Sequence, residues 1–248
     1  MSLNPCWAEI SLGQLKENFA LLRRHLGADH KVMAVVKADA YGHGAVPVAR
    51  ALEQARRGGQ AGADALGVAA VEEGVELRQA GLRAPIVLLT GFFPGEERAL
   101  IEFDITAGIT EFGQLERLEA AARAANRRLR CHVKVDTGMG RLGVWHNDAY
   151  KFIRKIHRLK NLTIQGLYTH FPAADTDKKF TQGQIHRLSD LITRLDNVGI
   201  VIPHIHASNS MGMAGYNTKI LNLFRPGIML YGLYPHASLK RKIKLKPV

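Results

Sequence analysis

Cysteine is nearly absent: Cys6 and Cys131 are the two in 248 residues. That excludes a disulfide framework and cysteine-based zinc spacing, and it points to a reducing compartment, read here as the cytoplasm. MSLNPCWAEI has no basic stretch followed by an apolar core, so no signal peptide is expected. Long apolar runs are missing too; VMAVV is far too short to cross a bilayer, so no membrane partner is expected. Carboxylates are scarce beside bases, 22 Asp and Glu against 34 Lys and Arg, for a formal net charge of +12. Such an excess makes a polyanion a candidate partner. Yet ten of the positive charges sit in two stretches, KFIRKIHRLK (151–160) and KRKIKLK (240–246). Phe152, Ile153, Ile156 and Leu159 have helical spacing within the first, which reads as an amphipathic helix with a solvated basic side. Nucleic acid is therefore not the expected partner.

What is present is a repeated alternation of strand and helix. At 46% apolar residues the composition is globular, and the length suits either two ordinary domains or one barrel of about 250 residues. Short β-rich runs lie at 31–36, 65–69, 85–89, 105–110, 130–136, 163–169, 200–206 and 224–232. Amphipathic stretches separate them. Ser11 and Gln14 have capping-box spacing ahead of the stripe Leu12, Leu15, Phe19, Leu22 and Leu26, and further helices are predicted over 110–125 and 177–197. Eight such units suit a parallel (β/α)8 TIM-type barrel better than an open doubly wound sheet. The expected organisation is an N-terminal strand over 1–10, a barrel over 11–235, and a junction segment over 236–248.

In a barrel the chemistry sits where strands run into the following helices. Lys37 falls there, in VVKADAYGHG: it either snorkels out of the mouth or is desolvated, with a lowered pKa and an amine free to attack a carbonyl. Tyr41 beside it offers a hydroxyl to an anion. Gly138, Gly140 and Gly143 in VDTGMGRLG spell G-x-G-x-x-G, but this is the fifth strand and 149–174 contains no Asp or Glu for a ribose hydroxyl. A tight strand-end loop holding Arg141 over the mouth is the better reading. His204 and His206 share one strand face near His170, yet no third carboxylate ligand follows, so no metal is expected and His206 is read as standing behind the site. HASNSMG and RPGIMLYG close the last two strands, where barrels often bind phosphate. Either loop alone reads equally as an ordinary turn. Together with a strand-one lysine they describe a site for a phosphorylated aldehyde.

VVKADAYGHG, VDTGMGRLG, GLYTHF, ASNSMG and RPGIMLYG, in this order and spacing, resemble the bacterial alanine racemases, which use pyridoxal 5'-phosphate (PLP) in a barrel domain. The match runs from Trp7 to the end of the sequence. The resemblance implies that Lys37 carries PLP and acts as one racemising base. It implies that Tyr41, Ser210, Gly227 and Ile228 hold the phosphate, with Asn209 lining the same site. Arg225 would face the pyridine nitrogen, His170 would lie against the ring, and Arg141 would contact the phenolic oxygen. Lys134 matches a lysine that many members carry as a carbamate, and Asp136 shares its strand face. The implied activity is interconversion of L- and D-alanine for peptidoglycan, by a homodimer. In that family a β-rich domain follows the barrel and supplies a second base, a tyrosine, from the partner subunit; LKPV stands where that domain is expected to begin, so weak racemisation is expected of this polypeptide by itself. The alternative is a stand-alone PLP barrel concerned with PLP homeostasis.

Overall fold

The computed structural model describes residues 6–59, 62–216 and 218–248. Among these, the β-rich runs form nine strands: β1 (Lys31–Val35), β2 (Ala65–Val68), β3 (Ile86–Leu88), β4 (Ile105–Ile109), β5 (Leu129–Asp136), β6 (Val144–Trp145), β7 (Leu162–Tyr168), β8 (His204–His206) and β9 (Leu223–Phe224). All pair in parallel, in the order β8-β7-β5-β4-β3-β2-β1-β9, with the two-residue β6 attached to β5. Without β6 they are the eight staves of a barrel. Its last seam has no ladder. Asn222 bridges it instead: its backbone N–H donates to the Ile205 carbonyl (3.1 Å), its side-chain oxygen accepts from the Ile205 N–H (2.8 Å), and its amide nitrogen donates to the Pro203 carbonyl (2.8 Å).

The helices are α1 (Leu12–Leu26), α2 (Lys37–Gly42), α3 (Ala45–Arg57), α4 (Val71–Gln79), α5 (Glu97–Glu102), α6 (Phe112–Ala124), α7 (His146–His157), α8 (Lys178–Asp196) and α9 (Ser210–Gly215). Ser11 caps α1, accepting from the Gln14 N–H at 3.2 Å, while the Gln14 side chain reaches forward to Asn18 and leaves the reciprocal half of the capping box unmade. Leu15, Phe19 and Leu22 are fully buried on the expected stripe, each worth about 1.5–3 kcal/mol of apolar burial. Asp177 caps α8 in the same way. On α7, Phe152, Ile153 and Ile156 face inward, so the basic residues of that stretch lie on the outer side.

Strand residues alternate between two cores. Val32 and Ala34 pack outward against the helices, whereas Met33 and Val35 join Ala65, Val87, Leu89, Tyr168 and Leu223 inside the barrel.

Three expectations change. The seventh strand is confined to β8, because Pro203 has no N–H to give a ladder and Val201 is 77% exposed. The eighth stops after Phe224, ahead of Pro226, and 228–231 wind into a 3₁₀ turn that buries Met229, Leu230 and Tyr231. The N-terminal strand is not formed over 6–10, where Trp7 is 80% exposed and the backbone pairs with no strand; residues 1–5 lie outside the described residues. At the basic end Leu239, Ile243 and Leu245 are buried while Lys240, Arg241, Lys242, Lys244 and Lys246 stay exposed, and the backbone of Lys246 exchanges hydrogen bonds with the buried Asn18 amide. Asn18 on α1 and the Tyr234 hydroxyl, which bonds the backbone of Ile243 and Leu245, thus anchor this stretch with its basic side chains outward.

Candidate active site

The turn after β1 sets the site. Ala38, Asp39, Ala40 and Tyr41 all adopt φ between 50° and 56°, so α2 is a left-handed turn. Residues with a Cβ pay about 1–2 kcal/mol each for this conformation. Backbone bonds from Ala40 to Val36 (2.9 Å) and from Gly44 to Asp39 (3.0 Å) hold it, and the Asp39 carboxylate caps α3 by accepting from Ala45 N–H at 2.6 Å. Lys37 is thereby aimed into the barrel mouth.

A cavity of about 360 Å³ opens there. Lys37, Tyr41, Lys134, Arg141, His170, Asn209, Ser210, Arg225, Gly227 and Ile228, all selected from sequence, line it together. Its charged lining is four cations and one carboxylate, Asp175, so the cavity favours an anion.

One wall joins the last two loops. Ser210 Oγ accepts from the Gly227 N–H at 3.0 Å, and a Cβ built on Gly227 would stand 2.6 Å from Tyr41 Oη. Glycine is required for that approach. Asn209 both lines the cavity and caps α9, accepting from the Gly212 N–H at 2.9 Å while donating to the Phe171 carbonyl at 3.1 Å.

Arg225 lies at the C-terminal ends of the strands, 6% exposed. Its Nη2 donates to the carbonyls of Thr169 (2.7 Å) and Ala207 (2.9 Å), which fixes the plane of the guanidinium, yet its buried Nε has no partner. Burial lowers its pKa to about 10, so it keeps its proton at neutral pH. Burial and the cations Arg225, Arg141, Lys134 and Lys37 hold His170 down to about 3, leaving a neutral ring. Burial and Arg141, with smaller contributions from Arg225 and Lys37, bring Lys134 to about 8, opposed by Asp136. Lys37 is lowered by burial and by Arg141 and Arg225, with Glu73 acting in the opposite sense. Both lysines are thus more readily deprotonated than a free lysine.

Two selected residues stand behind the cavity rather than in it. Asp136 accepts from the N–H groups of Gly138 and Gly140 at 2.8 Å each, organising the loop that carries Arg141. Gly140 (φ 71°) and Gly143 (φ 119°) make that loop's turns, and β6 follows where a dinucleotide fingerprint needs a helix. His206 is fully buried, its Nε2 2.9 Å from His132 Nδ1 and its ring stacked 4.6 Å from Tyr168. Among the described residues no group of three His, Cys, Asp or Glu is placed to hold a metal.

Sequence reasoning missed His132, although it lies two residues before Lys134 on the same strand face, the very spacing that linked Lys134 to Asp136. It also missed Glu73, which lies in none of the loops that attracted attention.

Fold and cavity together define a (β/α)8 barrel whose cationic mouth presents a strand-end lysine to an anionic ligand. Within that class, the chain belongs to the family of the alanine racemase N-terminal domain, whose model matches residues 10–235. It is 42% identical over 245 residues to an alanine racemase of Halothermothrix orenii, covering 98% of this chain and 63% of that one. An alanine racemase of Desulforamulus reducens is 40% identical over 247 residues, 98% of this chain and 65% of its own. The alanine racemase of Clostridium difficile 630, solved in complex with cycloserine, superposes with a TM-score of 0.93 at 34% identity, over 100% of this chain and 67% of its own. This chain therefore spans somewhat less than two thirds of the two relatives it matches by sequence.

Proposed function

We propose that this chain is the cofactor-binding barrel of a PLP-dependent alanine racemase. The observation that carries the reading is the convergence of Lys37, Tyr41, Arg141, His170, Ser210 and Arg225 on one cationic cavity in a member of this family. The donor set fits the cofactor. Tyr41, Asn209, Ser210, Gly227 and Ile228 would receive the phosphate, Arg141 the phenolic oxygen, and the unpartnered Arg225 Nε the pyridine nitrogen.

When bound, PLP supplies a carbonyl for an amine and an electron-withdrawing ring that acidifies the α-hydrogen of an amino acid. Lys37 would hold the cofactor through its amine and then, freed by the substrate amine, move a proton at Cα from one face. Arg225, retaining its own proton, would leave the ring nitrogen unprotonated and so favour return of the proton to Cα over transamination. His170, neutral, would lie against the ring. Lys134, deprotonated in part at neutral pH, would add carbon dioxide and turn the resulting carbamate toward Arg141. The barrel over 11–235 would be the binding unit.

Alanine as substrate, D-alanine supply for peptidoglycan and a cytoplasmic location belong to the same proposal. So does a homodimer, which rests on the family resemblance alone. Among the described residues no helix is long and apolar enough to cross a membrane.

The test is to add PLP to the 248-residue protein and trap the product with borohydride. A visible band is expected before reduction and absent in Lys37→Ala, with the reduced label on Lys37 by peptide mass spectrometry, and racemisation of L-alanine is followed alongside. A protein that develops no Lys37-dependent band would overturn the reading.

A further inference from the structure

The left-handed turn that presents Lys37 is strapped from outside. We propose that Glu73, in the first turn of α4, is a positioning residue for Lys37: its carboxylate ties the backbone after Lys37 to the end of β2 and sets an anion beside the cationic cavity. Glu73 Oε1 accepts from the Ala38 N–H at 2.7 Å; Oε2 accepts from Ala69 at 2.7 Å and Ala70 at 3.3 Å. Ala69 itself lines the cavity. One side chain thus links two of the site's walls, the residue following the reactive lysine and the strand end beside it.

A carboxylate is the group such a junction needs. Three N–H donors converge on two oxygens, and an amide would turn its NH2 against donors on one side or the other. The charge matters as well. Lys37 faces Arg141 from the loop after β5 and Arg225 from the loop after β9, both of which disfavour its protonated form, while Glu73 favours it. Lys134 on β5 and His170 beyond β7 feel the Lys37 charge in turn, and the Tyr41 ring lies 5.9 Å from its Nζ. The inference rests on Lys37 as the cofactor lysine, but its principal test does not use the cofactor.

Lys37 in the 248-residue protein is modified with trinitrobenzenesulfonate across a pH series, and its labelling is read by peptide mass spectrometry in the unaltered protein, Glu73→Gln and Glu73→Asp. Loss of the anion in Glu73→Gln should move the labelling midpoint to lower pH and speed modification about threefold at about pH 8. Glu73→Asp keeps the charge and should hold the midpoint. An absorbance titration with PLP should weaken about tenfold in Glu73→Gln, and less in Glu73→Asp, because the turn is no longer pre-organised. An unmoved midpoint in Glu73→Gln, or an equal shift in both variants, would overturn the proposal. Should Glu73→Gln not fold, Glu73→Asp decides: its strap is one methylene short, and unchanged PLP affinity would then sink the idea. If the unaltered protein forms no Lys37-dependent band, the cofactor reading fails while the labelling series still judges Glu73.

Discussion

Gly227 illustrates how much a single absent methyl group controls. The phosphate proposed for this wall needs the Tyr41 hydroxyl, the Ser210 hydroxyl and two backbone N–H groups within one small volume. Tyr41 reaches it because nothing projects from Gly227. Gly227→Ala is expected to displace the Tyr41 ring and lower PLP affinity about tenfold, while the cost to folding stays near 1–3 kcal/mol. Absorbance titration beside urea denaturation measures both, and unchanged affinity would show that the Tyr41 approach is unimportant. At this scale much of the site was legible. Lys37, Arg141, His170 and Ser210 lie in strand-end loops, where a barrel exposes polar side chains to a ligand, so position along the chain identified them. Arg225 was legible as a residue but not in its state: which of its nitrogens are used depends on the carbonyls of Thr169 and Ala207, which no local pattern specifies.

Among the elements, β5 and β8 place two histidines in the barrel interior. His132 and His206 meet at 2.9 Å, fully buried, with Gly166 on β7 leaving room for the His132 ring: a Cβ there would lie 2.4 Å from its Nδ1. Burial first, then His204 and Arg225, push His132 down to about 3. An unfolded histidine takes up its proton near pH 6.5, so between about pH 6.5 and 3 the unfolded chain binds a proton that the native state refuses. Stability is therefore full above that window and lost as pH falls through it, with His170 acting in the same sense. His132→Gln should flatten the fall in urea midpoint between about pH 7 and 4; an identical slope would contradict this source of acid sensitivity. Strand alternation brought His206 to attention while His132 went unnoticed, and their contact could not be read, because it depends on the register between β5, β7 and β8. The left-handed α2 was equally hidden. Ala38 to Tyr41 contain no glycine, so the residue preferences that normally flag positive φ were silent, and surrounding bonds impose the conformation.

For the molecule as a whole, closure depends in part on a side chain. Seven of the eight seams are parallel ladders, whereas the one between β8 and β9 is held by the Asn222 side-chain amide together with two backbone bonds, Asn222 N–H to Ile205 and Arg225 N–H to Ser208. Asn222→Ala leaves the Ile205 N–H and the Pro203 carbonyl without their partners, and should cost about 2–3 kcal/mol in urea denaturation. A loss below about 0.5 kcal/mol would mean that the flanking loops close the barrel unaided.

The sequence by itself determined the class of fold, the number of barrel strands, the faces of the long helices and the loops that carry the chemistry. These follow from periodicity, capping and turn residues, which act over a few positions. Only the tertiary structure decided where β8 and β9 end, how α2 is wound, which side chains share a cavity and which of them keep a proton. Those depend on burial and on the fields of residues far apart in the chain, as when Glu73 and Arg225 act in opposite directions on Lys37.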